Sequence, residues 1–136
     1  MSTSPRGVRN NNPLNIRREP GTVWIGQAEE QTDPDFVQFR DPVFGVRAAA
    51  IILREYKLRD NIDTIEEAIH RWSATDQDAY TANVAADCHV SPTALIDLEQ
   101  YLPVMIPAMI KQECSGYVYP EMVITNGIAL SHGPVC

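Results

Sequence analysis

Between Leu102 and Glu113 the chain places apolar side chains at Leu102, Val104, Met105, Ile106, Met109 and Ile110. One carboxylate follows, and then the small residues Cys114, Ser115 and Gly116. A helix this apolar has to be buried, so the rest of the fold must close around it. Its terminal Glu113 then sits where low dielectric, the negative end of the helix dipole and an opening to solvent meet. Burial and the dipole both disfavour the ionised form, so the pKa should rise. A carboxyl group held protonated near neutral pH can donate a proton to a leaving oxygen. A solvated glutamate at a helix end has the same local sequence, and the remainder of the chain must discriminate.

With 136 residues the expectation is one domain, residues 1–136, with one core. No stretch approaches the roughly 18 consecutive apolar residues of a membrane helix. Met1-Ser2-Thr3-Ser4-Pro5-Arg6 has no apolar core, so no signal peptide is expected. A target in the periplasm or cell wall would need another delivery route. The net charge of −7 argues against nucleic acid. Charge is unevenly spread, however. Arg6, Arg9, Arg17 and Arg18 cluster without an intervening acid, whereas Glu29, Glu30, Asp33 and Asp35 crowd the next section. A basic N-terminal patch of this kind could meet a carboxylate-bearing polymer, although isolated arginines are more often plain surface residues. Cys88, Cys114 and Cys136 form neither a disulfide framework nor a zinc pattern, and His70, His89 and His132 lack ligand spacing. No metal or cofactor is implied.

The pattern predicts a mainly α (α+β) fold with a small β-hairpin near the N-terminus. Residues 22–25 and 36–39 are its candidate strands. Asp41-Pro42 opens a helix to about Leu58, and the capping box Thr64-x-x-Glu67 opens another through Trp72. A third starts at residues 75–78 and runs to about Ala86. Ser91-Pro92 reads as the cap of a short fourth. Pro103 is taken as the start of the apolar helix, because proline is costly in a helix interior. A last piece after Pro120 should end at Asn126-Gly127 as a C-cap.

The second chemical constellation is Arg9-Asn10-Asn11-Asn12-Pro13-Leu14-Asn15-Ile16-Arg17. Amide side chains supply donors and acceptors that match acetamido sugars, and Trp24 before Gly26 offers a flat face for a pyranose. A self-bonded loop with a core tryptophan is the plainer alternative. The acidic run at residues 29–35 could hold a second carboxylate, although it also reads as a solvated turn.

The block Arg6-Gly7-Val8-Arg9-Asn10-Asn11-Asn12-Pro13-Leu14-Asn15-Ile16-Arg17, followed by Trp24-x-Gly26, Phe36-x-x-Phe39 and Gly45-Val46-Arg47-Ala48, resembles a group of phage and prophage proteins. Some of these are virion structural proteins and some are cell-wall-lysing enzymes. Residues 110–116, with Tyr119 and the Gly127-Ile128-Ala129 tail, resemble the same group's closing helix. That helix usually reads Glu-Asn-Gly where this chain has Glu-Cys-Ser-Gly. A second likeness is to lysozyme-like glucosaminidases and transglycosylases, with the segments in circularly permuted order.

These resemblances imply a lysozyme-like single domain that cleaves peptidoglycan glycan strands, as a lytic transglycosylase, muramidase or glucosaminidase. Glu113 would be the catalytic acid, and Asn12, Asn15, Trp24 and Tyr119 would bind substrate. Bacterial peptidoglycan would be the partner, with other virion proteins beside it. Two alternatives stand. One is a virion component that binds cell wall without cutting it. The other is a peptidoglycan endopeptidase using Cys114 with His132.

Overall fold

A computed structural model describes residues 4–133; Cys136 lies outside them. The architecture is mainly α, with six helices among the described residues: α1 (Arg6–Arg9), α2 (Pro42–Asp60), α3 (Ile65–Trp72), α4 (Gln77–Asp87), α5 (Leu98–Glu113) and α6 (Glu121–Leu130). α5 packs against α2, α4 and α6, and its residues Leu98, Leu102, Met105, Ile106, Met109 and Ile110 are fully or almost fully buried.

Helix starts follow the capping chemistry. Asp41 accepts from the Val43 N–H at 3.0 Å, with Pro42 in the first turn where its missing N–H costs nothing. The Thr64 hydroxyl accepts from the Glu67 N–H and donates to the Glu67 carboxylate, each at 3.1 Å. α5 begins five residues before the expected Pro103, because Asp97 caps it by accepting from the Glu99 N–H at 3.0 Å. Pro103 and Pro107 are therefore interior. They free the carbonyls of Glu99 and Pro103, and Pro103 is exposed with Pro107 half-buried, so water can reach this side.

Gly127 is not a cap but an interior residue of α6. A Cβ there would stand 2.5 Å from Val46 Cγ1, so glycine is what lets α6 lie close on α2. Gly45 does the same for the Asn block, since its Cβ would fall 2.5 Å from the Asn11 carbonyl. The short helix expected to start at Ser91-Pro92 does not form. A turn closed by Ala94 N–H to the Ser91 carbonyl occupies this stretch, pinned to α3 by Glu66 N–H on the Pro92 carbonyl.

The expected hairpin is also absent from the described residues, which hold two isolated antiparallel bridges, Arg17 with Phe36 and Gln27 with Phe39. Residues 22–25 do not pair as a strand: the Gln27 N–H turns back to the Trp24 carbonyl, and Gly26 follows with φ 84°. The stretch around residues 35–40 is instead held from two sides. Val37 N–H donates to Ile16 and Arg18 N–H to Asp35, while Ala28 N–H donates to Gln38 and Arg40 N–H to Gly26. Two short partners of different origin give single bridges where one long partner would give a ladder. No described helix is long and apolar enough to cross a membrane.

Candidate active site

Glu113 is the last residue of α5. The three residues after it close the helix: Cys114 N–H bonds the Ile110 carbonyl, Ser115 takes φ 52°, and Gly116 N–H returns to the Lys111 carbonyl at 2.8 Å. This is a Schellman closure, and it turns the chain away at once so that the carboxylate stays uncovered.

Two side chains from distant parts of the sequence meet that carboxylate. Asn15 Nδ2 donates to Oε1 at 2.9 Å across 98 residues of sequence, and the Tyr80 hydroxyl of α4 donates to Oε2 at 3.0 Å. Asn15 reaches it because its backbone is left-handed, φ 53°, which asparagine tolerates better than most residues. Burial lifts the Glu113 pKa above its ordinary 4.5, and the bonds from Asn15 and Tyr80 pull the other way without cancelling it. The Tyr80 phenol is pushed up by burial and then by the adjacent Glu113 charge, so it remains a proton-bearing group.

A groove opens from this point. Its first basin holds Glu113, Asn15, Arg17, Arg71 and Trp72, and its second holds Trp24, Tyr56, Glu19 and Glu55. Asn15, Arg17 and Trp72 belong to both. Trp72 is anchored by its Nε1 donating to the Leu14 carbonyl at 3.3 Å and by an edge-on contact with Tyr56. Four aromatic side chains, Phe36, Trp72, Tyr56 and Trp24, thus line a cleft that ends on a carboxyl group.

The residues anticipated from sequence divide among different places. Glu113, Asn15 and Trp24 lie along the groove. Asn12 does not: it is fully buried, with Nδ2 donating to the Ile16 and Val37 carbonyls at 2.9 and 2.8 Å and Oδ1 accepting from Ile16 N–H at 2.9 Å. It holds the loop in shape. Tyr119 lines a different, apolar hollow between α5 and α6 with Pro103, Pro107 and Ile124. Of the acidic run, Asp33 is bound by Arg6, Asn10 Nδ2 and the backbone of Asp35 and Phe36, and the Arg6 guanidinium holds its carboxyl far below the usual range. None of Glu29, Glu30, Asp33 and Asp35 lines either basin, so Glu19 and Glu55 are the groove's other carboxylates.

Cys114 is fully buried, its thiol donating to the Pro13 carbonyl at 3.2 Å and pushed up to about 11 by burial. His132 lies against Glu99, near the other end of α5. Fifteen helical residues at 1.5 Å each place that end about 22 Å from Cys114.

Tyr80 and Trp72 were not anticipated. A lone tyrosine on an apolar helix face reads as core, and the usable signal is that a buried phenol must find a polar partner.

No family model matches the chain. Over 129 residues it is 37% identical to Protein P5 of Pseudoalteromonas phage PM2, an alignment covering 90% of this chain and 80% of the phage protein. The chain belongs to the family of that phage protein. The likeness to phage proteins anticipated from the Arg-Asn-Asn-Asn-Pro block therefore holds at this level. The likeness to the phage protein covers 90% of the chain.

Proposed function

We propose that this protein cleaves the glycan strands of bacterial peptidoglycan, in a lysozyme-like domain brought to the cell wall with the virion. The observation that carries the reading is Glu113: a half-buried carboxyl at a helix end whose pKa burial raises, hydrogen-bonded by Asn15 and Tyr80 and opening on an aromatic-lined groove.

Protonated Glu113 gives its proton to the glycosidic oxygen as the C1–O bond breaks. The carboxylate so formed then takes a proton back. In a hydrolase the donor is a water that attacks C1; in a transglycosylase it is the sugar's own hydroxyl, which closes an anhydro ring. Asn15 fixes the carboxylate plane. The Tyr80 hydroxyl, which can donate or accept, bonds Glu113 in either protonation state. Trp24 and Trp72 stack sugar faces, and Asn12 acts through the loop that presents Asn15. These proton transfers need only a carboxyl group.

The thiol alternative has no support in the geometry, since Cys114 is enclosed and His132 is at the far end of the helix. Digestion of purified sacculi followed by mass spectrometry tests the proposal. Anhydro-muropeptides indicate a transglycosylase and new reducing ends a hydrolase. Free peptide termini alone, or no products, would refute glycan cleavage.

A further inference from the structure

Charge along the groove is uneven. The basin at Glu113 is lined by Arg17 and Arg71 against one carboxylate, whereas the basin beyond Trp72 holds Glu19 and Glu55, with Arg17 at the border of the two. In a chain of net charge −7, two arginines beside one acid are a local inversion.

The arginines of this region are not equivalent. Arg71 is tied to Asp60 at 2.8 Å. Arg6, nearby in sequence, is consumed by Asp33 and Asp35. Arg17 has no carboxylate partner and no hydrogen-bond acceptor for its guanidinium among the described residues; its guanidinium lies over the Phe36 ring, 5.1 Å from the centroid. A ring contact orients the planar guanidinium and leaves its edge donors unspent.

Its backbone is fixed as well. Ile16 and Arg18 are hydrogen-bonded to Val37 and Asp35 on either side of the Arg17–Phe36 bridge. Arg17 also stands two residues from Asn15, whose amide touches Glu113. An oriented, uncommitted fork at a set place beside the proton donor suits bidentate recognition of a carboxylate.

We propose that Arg17 is the carboxylate-binding residue of the groove, so that this protein selects acid-bearing glycans over neutral ones of the chitin type. This rests on the glycan-cleavage reading. The carboxylate has two sources with the same chemistry: the lactyl ether of a muramyl sugar that carries no peptide, or the peptide that elsewhere occupies that lactyl group as an amide and brings carboxylates of its own.

Calorimetric titration of the folded Glu113→Gln protein separates them without turnover. Three probes are used: a peptide-bearing muramyl oligomer, the same oligomer stripped of peptide so that the lactyl carboxylate remains, and chitotetraose. Adding Arg17→Gln should lower the affinity ratio of acid-bearing to neutral glycan about tenfold, the loss of one charge-assisted contact. Arg17→Lys should keep part of the ratio. A fall on the stripped oligomer alone assigns the lactyl carboxylate, which in the peptide-bearing oligomer is tied up as an amide; a fall on the peptide-bearing probe alone assigns the peptide, and a fall on both shows that either carboxylate fills the site. An unchanged ratio overturns the role of Arg17 while glycan binding stands. Failure of the parent protein to bind any of the three contradicts the glycan reading itself.

Discussion

Two asparagines three residues apart, Asn12 and Asn15, should respond in opposite ways to truncation. In Asn12→Ala three hydrogen bonds vanish. The Ile16 carbonyl keeps its second donor, the Val37 N–H at 3.0 Å. The Ile16 N–H and the Val37 carbonyl lose the only protein partners they have among the described residues, inside a site where Asn12 itself is wholly buried. Each buried orphan costs about 1–3 kcal/mol, so the substitution should cost about 3–4 kcal/mol. Unfolding entropy near 2.1 cal/mol/K per residue gives about 0.29 kcal/mol/K for this chain, and the melting temperature should fall by about 10–14 °C. In Asn15→Ala the lost partner is a carboxylate that borders the groove, where water can replace the amide. The melting temperature should move by no more than about 3 °C, while turnover falls by at least tenfold because Glu113 is no longer oriented. Differential scanning calorimetry and a sacculus-turbidity assay on both variants decide the matter. A stable but inactive Asn12→Ala, or an unstable Asn15→Ala of normal activity, would refute this division of roles.

Tyr80→Phe removes a donor to the Glu113 carboxylate, which raises its pKa further. The alkaline limb of the pH–rate profile, where the general acid loses its proton, should move to higher pH; a move to lower pH would be contrary. Cys114→Ser should keep lytic activity within a few-fold and the fold intact, because a hydroxyl can still donate to the Pro13 carbonyl; loss by orders of magnitude with a normal circular dichroism spectrum would restore the thiol peptidase. Glu113→Gln should also alter stability in a pH-dependent way. A carboxyl raised above 4.5 in the folded state contributes stability below that pH and loses it as pH rises through the folded value. The glutamine variant should therefore gain melting temperature relative to wild type on going from pH 4 to pH 8, and a shrinking difference would contradict the burial argument.

Much of this arrangement can be read from local chemistry. Asp41-Pro42 and Thr64-x-x-Glu67 act through bonds within three residues, so sequence specifies them directly. Glu113 with its small successors is likewise a local pattern, completed by the Ser115–Gly116 turn. Errors arise where a distant packing partner decides. Gly127 reads as a helix stop, but its missing side chain serves the approach to Val46 some eighty residues earlier. Pro103 reads as a helix start, yet the Asp97 cap and the solvent-side placement of the proline override its penalty. The amide-rich loop points to polar recognition, but which asparagine faces inward depends on Val37, and which residue completes the carboxylate's shell depends on α4. Spacing alone carries neither fact.

The most direct test of the central claim is the initial rate of glycan-bond cleavage by Glu113→Gln, measured beside wild type on purified sacculi with product mass spectrometry. The amide keeps the size of the side chain and a bond to Tyr80 but has no proton to give. Cleavage should fall by about 10²–10⁴-fold with the circular dichroism spectrum unchanged. Cleavage by the folded variant within a few-fold of wild type would contradict the assignment of Glu113 as the general acid.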